Sequence, residues 1–273
     1  MKNQKNMNSN PLFFARNIHP ALWGSESWVI SAHRAGESTI LTPPFEGRAL
    51  GSLYPSFPLL FKVIDARDRL SVQVHPNENT CVTAGGEPKT EMWCVISGGP
   101  IFAGLESGVS KDEVAAAAAA GGFEELLVRH DARPGDVFFI PGGLVHAIGE
   151  GVKLFEVQQS SDTTFRLYDW NRKDAEGRSR ELHIGQAMKA IDLALDAPTP
   201  QKSIENGFFS FSQMRLDGSV QVTSGENFLA VFNAKGEVSL NGSAIPTDEA
   251  SLLPPGTTVT VSGRDAWVMT TKF

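Results

Sequence analysis

The stretch from Gly135 to Ile148, GDVFFIPGGLVHAI, decides the fold of this chain. It joins an apolar run of strand length to Pro141, Gly142 and Gly143, which are typical of a tight turn. The pattern G-x5-P-x-G-x2-H places a histidine, His146, directly after that turn. We therefore predict a strand that ends in a turn and directs one histidine inward.

Two further segments supply candidate ligands. In LSVQVHP, residues 70–76, alternate side chains of a strand share a face, so Ser71, Gln73 and His75 point the same way. In EMWCVISG, residues 91–98, Glu91 stands at the start of an apolar strand. Taken alone, each pattern is also typical of a polar strand face or strand end that meets water. The combination with the His146 segment favours a shared site.

Short apolar runs of the same kind recur between glycine and proline turns. They are LLFKVID, LSVQVHP, EMWCVIS, DVFFIPG and KLFEVQQ. Their spacing predicts an antiparallel β sandwich or barrel. A capping box at Ser110 and Glu113, followed by an alanine run and FEELLVRH, predicts a small helical insertion at about 109–130. A second helix is predicted from about Glu181 to Leu195, where apolar residues recur every three or four positions.

A second, smaller β domain is predicted at the end of the chain. The segment DAPTPQKS after Leu195 is typical of a linker, and strand-length runs return from Phe208: FFSFSQM, FLAVFNA, EVSLNG, TVTVSG and AWVMTT. No histidine follows His183, so we expect no metal site there. The predicted domains are residues 11–196 and 197–273.

Composition excludes some classes of partner. The formal net charge of −7 argues against general binding to nucleic acid or to an anionic membrane, since both are bound by clustered Lys and Arg. No apolar run has the length of a signal peptide or a membrane span, so we expect a cytoplasmic protein. Cys81 and Cys94 are too few for a disulfide framework and are expected to be reduced and buried. The remaining histidines, His19, His33, His130 and His183, show no ligand spacing.

The residue patterns resemble a known family. The spacing E-x6-G from Glu91 to Gly98 and the His146 pattern resemble the two motifs of the cupin superfamily. The usual H-x-H is here Gln73-x-His75, a longer insertion precedes Glu91, and Glu150 replaces the usual Asn. These departures, with the segment QQSSDTTFRLYDWNR and the early WGSESW, resemble the short form of type I mannose-6-phosphate isomerases. The resemblance covers most of the first 195 residues and the C-terminal part only loosely.

This resemblance implies a mainly β protein, with a cupin jelly-roll barrel as its catalytic domain. It implies interconversion of mannose 6-phosphate and fructose 6-phosphate by a monomer or homodimer that carries one zinc ion per chain. The implied zinc ligands are Gln73, His75, Glu91 and His146. The implied catalytic residues are Arg166, Lys89 and Asp162, with the general base open between Lys89 and Asp162. The candidates for phosphate binding are Ser71 and Lys62, with Lys89 and backbone amides as alternatives.

Other interpretations remain open from the sequence. Asp162 and Arg166 are four residues apart and could form a surface ion pair, while Lys62 could be a strand lysine whose amine reaches water. An iron-dependent cupin oxygenase would normally carry two histidines in the first motif, so Gln73 counts against it. A sugar-binding or regulatory cupin without turnover would not need Lys89, Asp162 and Arg166. A structural bicupin would require closer agreement between the two domains.

Overall fold

The computed structural model describes residues 10–273. The chain is mainly β, as the sequence predicts. Its strands are β1 (Leu12–Phe13), β2 (Ile18–Ala21), β3 (Gly24–Ser31), β4 (Leu59–Ala66), β5 (Val72–Val74), β6 (Glu91–Ser97), β7 (Gly99–Leu105), β8 (Leu127–Ala132), β9 (Val137–Ile140), β10 (His146–Ile148), β11 (Lys153–Gln159), β12 (Phe165–Tyr168), β13 (Ile204–Glu205), β14 (Ser210–Thr223), β15 (Leu229–Leu240), β16 (Ser243–Ile245), β17 (Glu249–Leu253) and β18 (Thr258–Lys272). The α-helices are α1 (Leu50–Leu53), α2 (Cys81–Ala84), α3 (Lys111–Ala120) and α4 (Ile184–Ala190).

The chain divides into two compact units. Residues 18–27 and 58–201 form one, which we call the barrel unit, and residues 10–17, 28–57 and 202–273 form the other. This division differs from the predicted domains 11–196 and 197–273. The reason is strand pairing: β1, near the start of the chain, pairs with β17, so part of the N-terminal region groups with the C-terminal sheet.

The barrel unit is built on antiparallel sheets, consistent with the predicted cupin jelly roll. One sheet has the order β2-β3-β4-β11-β6-β9, and the other has the order β12-β5-β10-β7-β8. Alternate residues of both sheets meet in one apolar core, which includes Ile64, Trp93, Leu154, Ile101 and Ile148. Burial of this surface is the main force that holds the unit together.

The helices cover the other face of the five-stranded sheet. Val114 of α3 and Ala187 of α4 are fully buried in one cluster with Val72 and Val74 of β5. Val72 and Val74 face the helices, and Gln73, between them, faces the opposite side. This packing fixes which side of β5 is available for a functional site.

The predicted helical insertion at 109–130 is only partly correct. The capping box forms, since the Ser110 hydroxyl accepts from the Glu113 amide and the Glu113 carboxylate accepts from the Ser110 amide. The helix ends at the glycine pair 121–122, where both residues have positive φ. After one 3-10 turn, Phe123–Leu126, the chain becomes β8 because it pairs with β7. Sheet pairing thus overrides the local helical preference.

The second predicted helix, from about Glu181 to Leu195, is shorter in the structure, at Ile184–Ala190. Ile191 is extended, and the Asp192 amide then donates to the carbonyl of Gly143 at 3.1 Å. The chain therefore leaves the helix to bind the turn that precedes His146.

The C-terminal strands are longer than the sequence indicates. FLAVFNA and EVSLNG form one strand, β15, while TVTVSG and AWVMTT form β18. Gly236 and Asp265, which lie between the predicted runs, have positive φ and lie at or beside irregularities in the β15–β18 pairing. A β-bulge keeps the strand continuous where a turn would end it.

Two remaining expectations concern cysteines and membranes. Cys94 is buried, but Cys81 is only half-buried on α2, so the expectation that both are buried is wrong for Cys81. Among residues 10–273, no helix is both long and apolar enough to cross a membrane.

Candidate metal centre

Three buried side chains converge inside the barrel unit. His75 follows β5, Glu91 begins β6 and His146 begins β10, so both sheets contribute. The ligand atoms of these three residues all lie within 4.8 Å of one another. Nε2 of His75 is 3.5 Å from one carboxylate oxygen of Glu91, and Nε2 of His146 is 3.5 Å from the other. The structure thus brings together three of the four predicted ligands.

The fourth predicted ligand, Gln73, lies beside His146. The two residues are paired in the register of β5 and β10, and the Gln73 amide nitrogen donates to Nε2 of His146 at 3.3 Å. A half-turn about the terminal side-chain torsion of Gln73 would exchange the amide nitrogen and oxygen. The carbonyl oxygen would then point toward His146. Gln73 therefore contacts one of the three converging side chains, His146.

The electrostatics of the site keep both histidines neutral. Burial lowers the pKa of His146 to about 4, and burial together with the nearby Lys89 lowers the pKa of His75 well below its usual value. Nδ1 of His146 is 2.9 Å from the carbonyl of Leu144, which fixes this nitrogen as the donor. The lone pair of Nε2 then points toward Glu91. Neutral imidazoles oriented by such a hydrogen bond are typical metal ligands.

The donor set fits a metal ion. It offers two imidazoles, one carboxylate and one amide, which suit a zinc site that leaves positions open to water or substrate. The Glu91 carboxylate is buried, and the Lys89 ammonium lies 3.2 Å from one of its oxygens and 3.1 Å from Nε2 of His75. A cationic group thus already occupies the space between the carboxylate and an imidazole. A buried carboxylate beside two neutral imidazoles stabilises positive charge, which supports cation binding.

A second row of polar residues lies next to the ligands on the inner face of the six-stranded sheet. Trp93, Glu156 and Lys62 are paired across β6, β11 and β4. The Lys62 ammonium is 3.1 Å from Glu26 and 3.5 Å from Glu156. Burial alone would lower the pKa of Lys62, but these two carboxylates outweigh it and raise the pKa. Lys62 is thus buried and charged, with both of these partners inside the barrel unit.

The predicted substrate residues occupy different environments. Arg166 is paired with Gln73 in the register of β12 and β5, and its guanidinium donates to the carbonyl of Glu181 at 2.8 Å. Ser71 is buried just before β5. Asp162 is exposed in the loop between β11 and β12, with a carboxylate oxygen within 4.8 Å of one of Glu87. The structure therefore places Arg166 next to a predicted ligand and Asp162 in a separate acidic group.

The sequence analysis missed the residues that support this site. His183 holds the backbone of Arg166, because its Nδ1 accepts from the Arg166 amide at 3.1 Å and its own amide donates to the Arg166 carbonyl at 2.7 Å. No spacing in the sequence indicates this contact. Glu156 does carry a sequence signal, because it stands in the middle of the apolar run KLFEVQQ. A buried acid is seldom without a partner, so this position could have predicted a buried polar contact.

Comparison with known proteins gives a consistent result. A family model described as the catalytic domain of type I phosphomannose isomerases matches residues 23–91. A mannose-6-phosphate isomerase of Streptococcus mutans is 34% identical over 90% of this chain and 93% of its own length. The mannose-6-phosphate isomerase ManA of Bacillus subtilis is 33% identical over 85% of this chain and 87% of its own.

A solved structure agrees in fold. The crystal structure of the mannose 6-phosphate isomerase from Bacillus subtilis superposes with a TM-score of 0.85 at 26% identity. The superposition covers 97% of this chain and 100% of the Bacillus subtilis chain. The similarity therefore extends over both units of the fold.

Proposed function

This chain belongs to the type I mannose-6-phosphate isomerases, and on that premise we propose that it interconverts mannose 6-phosphate and fructose 6-phosphate. The observation that carries the proposal is the convergence of His75, Glu91 and His146 within 4.8 Å in a buried site. Relatives that bear the same name are 33–34% identical over most of the chain. A sugar-phosphate substrate follows from membership of the family.

We propose that the metal is a single zinc ion held by Gln73, His75, Glu91 and His146. A zinc ion bound there would supply positive charge that stabilises negative charge on a substrate oxygen. The single carboxylate leaves that charge only partly neutralised, because the other three ligands are neutral. The lowered pKa values of both histidines favour this role, since the ligands need not lose protons at neutral pH.

The reaction moves one proton between C1 and C2 of the sugar, through a cis-enediolate. We assign Arg166 to stabilise the developing negative charge, because its guanidinium remains charged and it is paired with Gln73. His183 and the Glu181 carbonyl hold the backbone and side chain of Arg166 before substrate arrives. Such fixed charge is more effective than charge that must reorganise during the reaction.

Lys89 and Asp162 are the proposed proton carriers. Lys89 is buried, and its ammonium contacts two of the proposed ligands, His75 and Glu91. Asp162 is exposed and would have to reach the substrate from the loop before β12. The geometry therefore favours Lys89 as the group that transfers the proton next to the metal. It favours Asp162 as the group that exchanges protons with solvent.

For the phosphate, the proposed contacts are Ser71 and Lys62. Ser71 is buried directly before β5, two positions from the ligand Gln73, so a phosphate contact there would be shielded from water. Lys62 is already paired with Glu26 and Glu156, and it would have to exchange a carboxylate for the phosphate. Substitution of Lys62 distinguishes a role in phosphate binding from a purely structural role in these ion pairs.

The test is conversion of mannose 6-phosphate to fructose 6-phosphate by the purified protein, before and after chelation and with zinc added back. Turnover that is lost on chelation and restored by zinc supports the proposal. His146→Ala should lose zinc and turnover, whereas His130→Ala, at a half-buried histidine whose Nε2 is near the Ala103 carbonyl, should keep both. A protein with zinc fully bound but no turnover would contradict the proposal and favour a sugar-binding cupin. Bound iron in place of zinc would favour oxygenase chemistry.

A further inference from the structure

We infer that Trp93 is a positioning residue of the metal centre, which orients the ligand His146 and is itself held by Glu156. The inference rests on the proposed metal at this site. The rings of Trp93 and His146 have centroids 5.3 Å apart at 77°, an edge-to-face contact. The indole N–H donates to the Glu156 carboxylate at 3.0 Å. Trp93 thus links a buried acid to a metal ligand.

The strand register explains why these residues meet. Glu91 and Gln158 form one cross-strand pair between β6 and β11, and Trp93 and Glu156 form the pair two residues further along. Because side chains alternate across a sheet, both pairs face the same side. Trp93 therefore lies directly next to the ligand row.

The contact adds to the restraints on the His146 ring. The hydrogen bond from Nδ1 to the Leu144 carbonyl fixes one edge, the Gln73 amide nitrogen lies 3.3 Å from Nε2, and the ring of His75 lies 4.8 Å away. Trp93 supplies a further contact, which limits the tilt of the ring about the hydrogen bond to Leu144. Residues that orient metal ligands in this way affect metal affinity about 10–100-fold.

The indole is anchored by a hydrogen bond inside the core. Glu156 and Trp93 are both almost completely buried, so no bulk water competes for the hydrogen bond. Lys62, paired with Glu156 across the strands, balances the charge of this carboxylate. A hydrogen bond to a desolvated acceptor restricts the indole more than packing alone.

The alternative is that Trp93 only fills the core. It belongs to the apolar cluster of the barrel unit, together with Phe138 and Val95, so loss of stability alone would not distinguish the two roles. Metal affinity and the ligand geometry of the bound metal do distinguish them, because a purely structural residue alters neither when the protein remains folded.

The test compares Trp93→Phe with Trp267→Phe in the full-length protein. Trp267 is a matched control: it is also buried, and its indole N–H donates to the side-chain oxygen of Gln213 at 3.0 Å in the C-terminal sheet. Zinc affinity is measured by competition with a chromophoric chelator, and ligand geometry by the visible absorption of the cobalt-substituted protein. Trp93→Phe should bind zinc about tenfold more weakly and alter the cobalt spectrum. Trp267→Phe should match the wild type in both.

A second variant, Glu156→Gln, keeps the shape of the acceptor and removes its charge. It should weaken zinc binding less than Trp93→Phe, and the double variant should be no weaker than Trp93→Phe alone, because both act on His146 through the same indole. If Trp93→Phe does not fold, the zinc affinity of Glu156→Gln becomes the test. A Glu156→Gln protein that binds zinc as tightly as the wild type would then overturn the inference. Equal zinc affinity of Trp93→Phe and Trp267→Phe, or multiplicative losses in the double variant, would also overturn it. A wild type that binds no zinc would remove the proposed metal centre as well.

Discussion

Replacement of Lys62 by methionine should destabilise the protein strongly. The Lys62 side chain is 5% exposed and that of Glu156 is 3% exposed, with 3.5 Å between the charged atoms. Methionine has a similar length and no charge, so Glu156 would remain buried with the indole of Trp93 as its donor. The buried carboxylate then loses the cation that compensates its desolvation.

The size of the effect follows from this geometry. Removal of one partner of a buried ion pair costs about 3–5 kcal/mol. Glu26, the other partner, is 23% exposed and can regain contact with water, so we expect the lower end, about 3 kcal/mol. In a protein of this size, each 1 kcal/mol lowers the melting temperature by about 2–4 °C, which gives a decrease of about 6–12 °C.

The assay is thermal and urea unfolding at pH 7 in the presence of a chelator, so that metal binding does not contribute. The double variant Lys62→Met with Glu156→Gln should recover more than half of the lost stability, because it removes both charges and keeps an acceptor for Trp93. The control is Lys235→Met, which breaks the exposed ion pair between Lys235 and Asp265 and should change stability by less than about 0.5 kcal/mol.

A Lys62→Met protein as stable as the Lys235→Met control would refute this reasoning. The same variants test phosphate binding. If Lys62 contacts the phosphate, KM for mannose 6-phosphate should rise in the single variant and stay high in the double variant, although stability recovers. If Lys62 is only structural, KM in the double variant should return to the wild-type value.

Three further predictions concern turnover, a helix and pH. Arg166→Ala should lower kcat by about 100–1000-fold and leave zinc content unchanged, as measured by metal analysis beside the activity assay; loss of zinc would mean that Arg166 is structural. Ser110→Ala should cost about 1 kcal/mol in urea unfolding, because it removes the hydroxyl that accepts from the Glu113 amide, whereas the exposed Ser107→Ala should have little effect. The pKa values of His75 and His146 are lowered on folding, so the unfolded chain binds protons more tightly than the folded one. The metal-free protein should therefore lose stability as pH falls from about 6.5 toward 4, and unfolding free energies that stay constant over this range would contradict it.

The sequence by itself determined the strands and the candidate ligands. Alternation of apolar and polar residues, with glycine and proline turns, is a local property, and it predicted β6, β9 and β11 close to their observed bounds. The spacing around Glu91 and His146 indicated the cupin fold, which the structure supports. These features need no knowledge of distant contacts.

Where local and long-range preferences conflict, the predicted secondary structure was wrong. LVRH after the glycine pair has helical preference, yet it forms β8 because β7 offers an open edge. FLAVFNA and EVSLNG were predicted as separate runs, as were TVTVSG and AWVMTT, yet pairing between β15 and β18 keeps both strands continuous through bulges. In both cases backbone hydrogen bonds to a partner strand outweigh a propensity of less than about 1 kcal/mol per residue.

Only the tertiary structure decided which side chains meet. His75, Glu91 and His146 are separated by up to 71 positions, and antiparallel pairing within two sheets brings their ligand atoms together. The same pairing places Lys62 opposite Glu156 and Trp93 beside His146. Such contacts depend on register, and a shift of one residue would turn each of these side chains to the other face of its sheet.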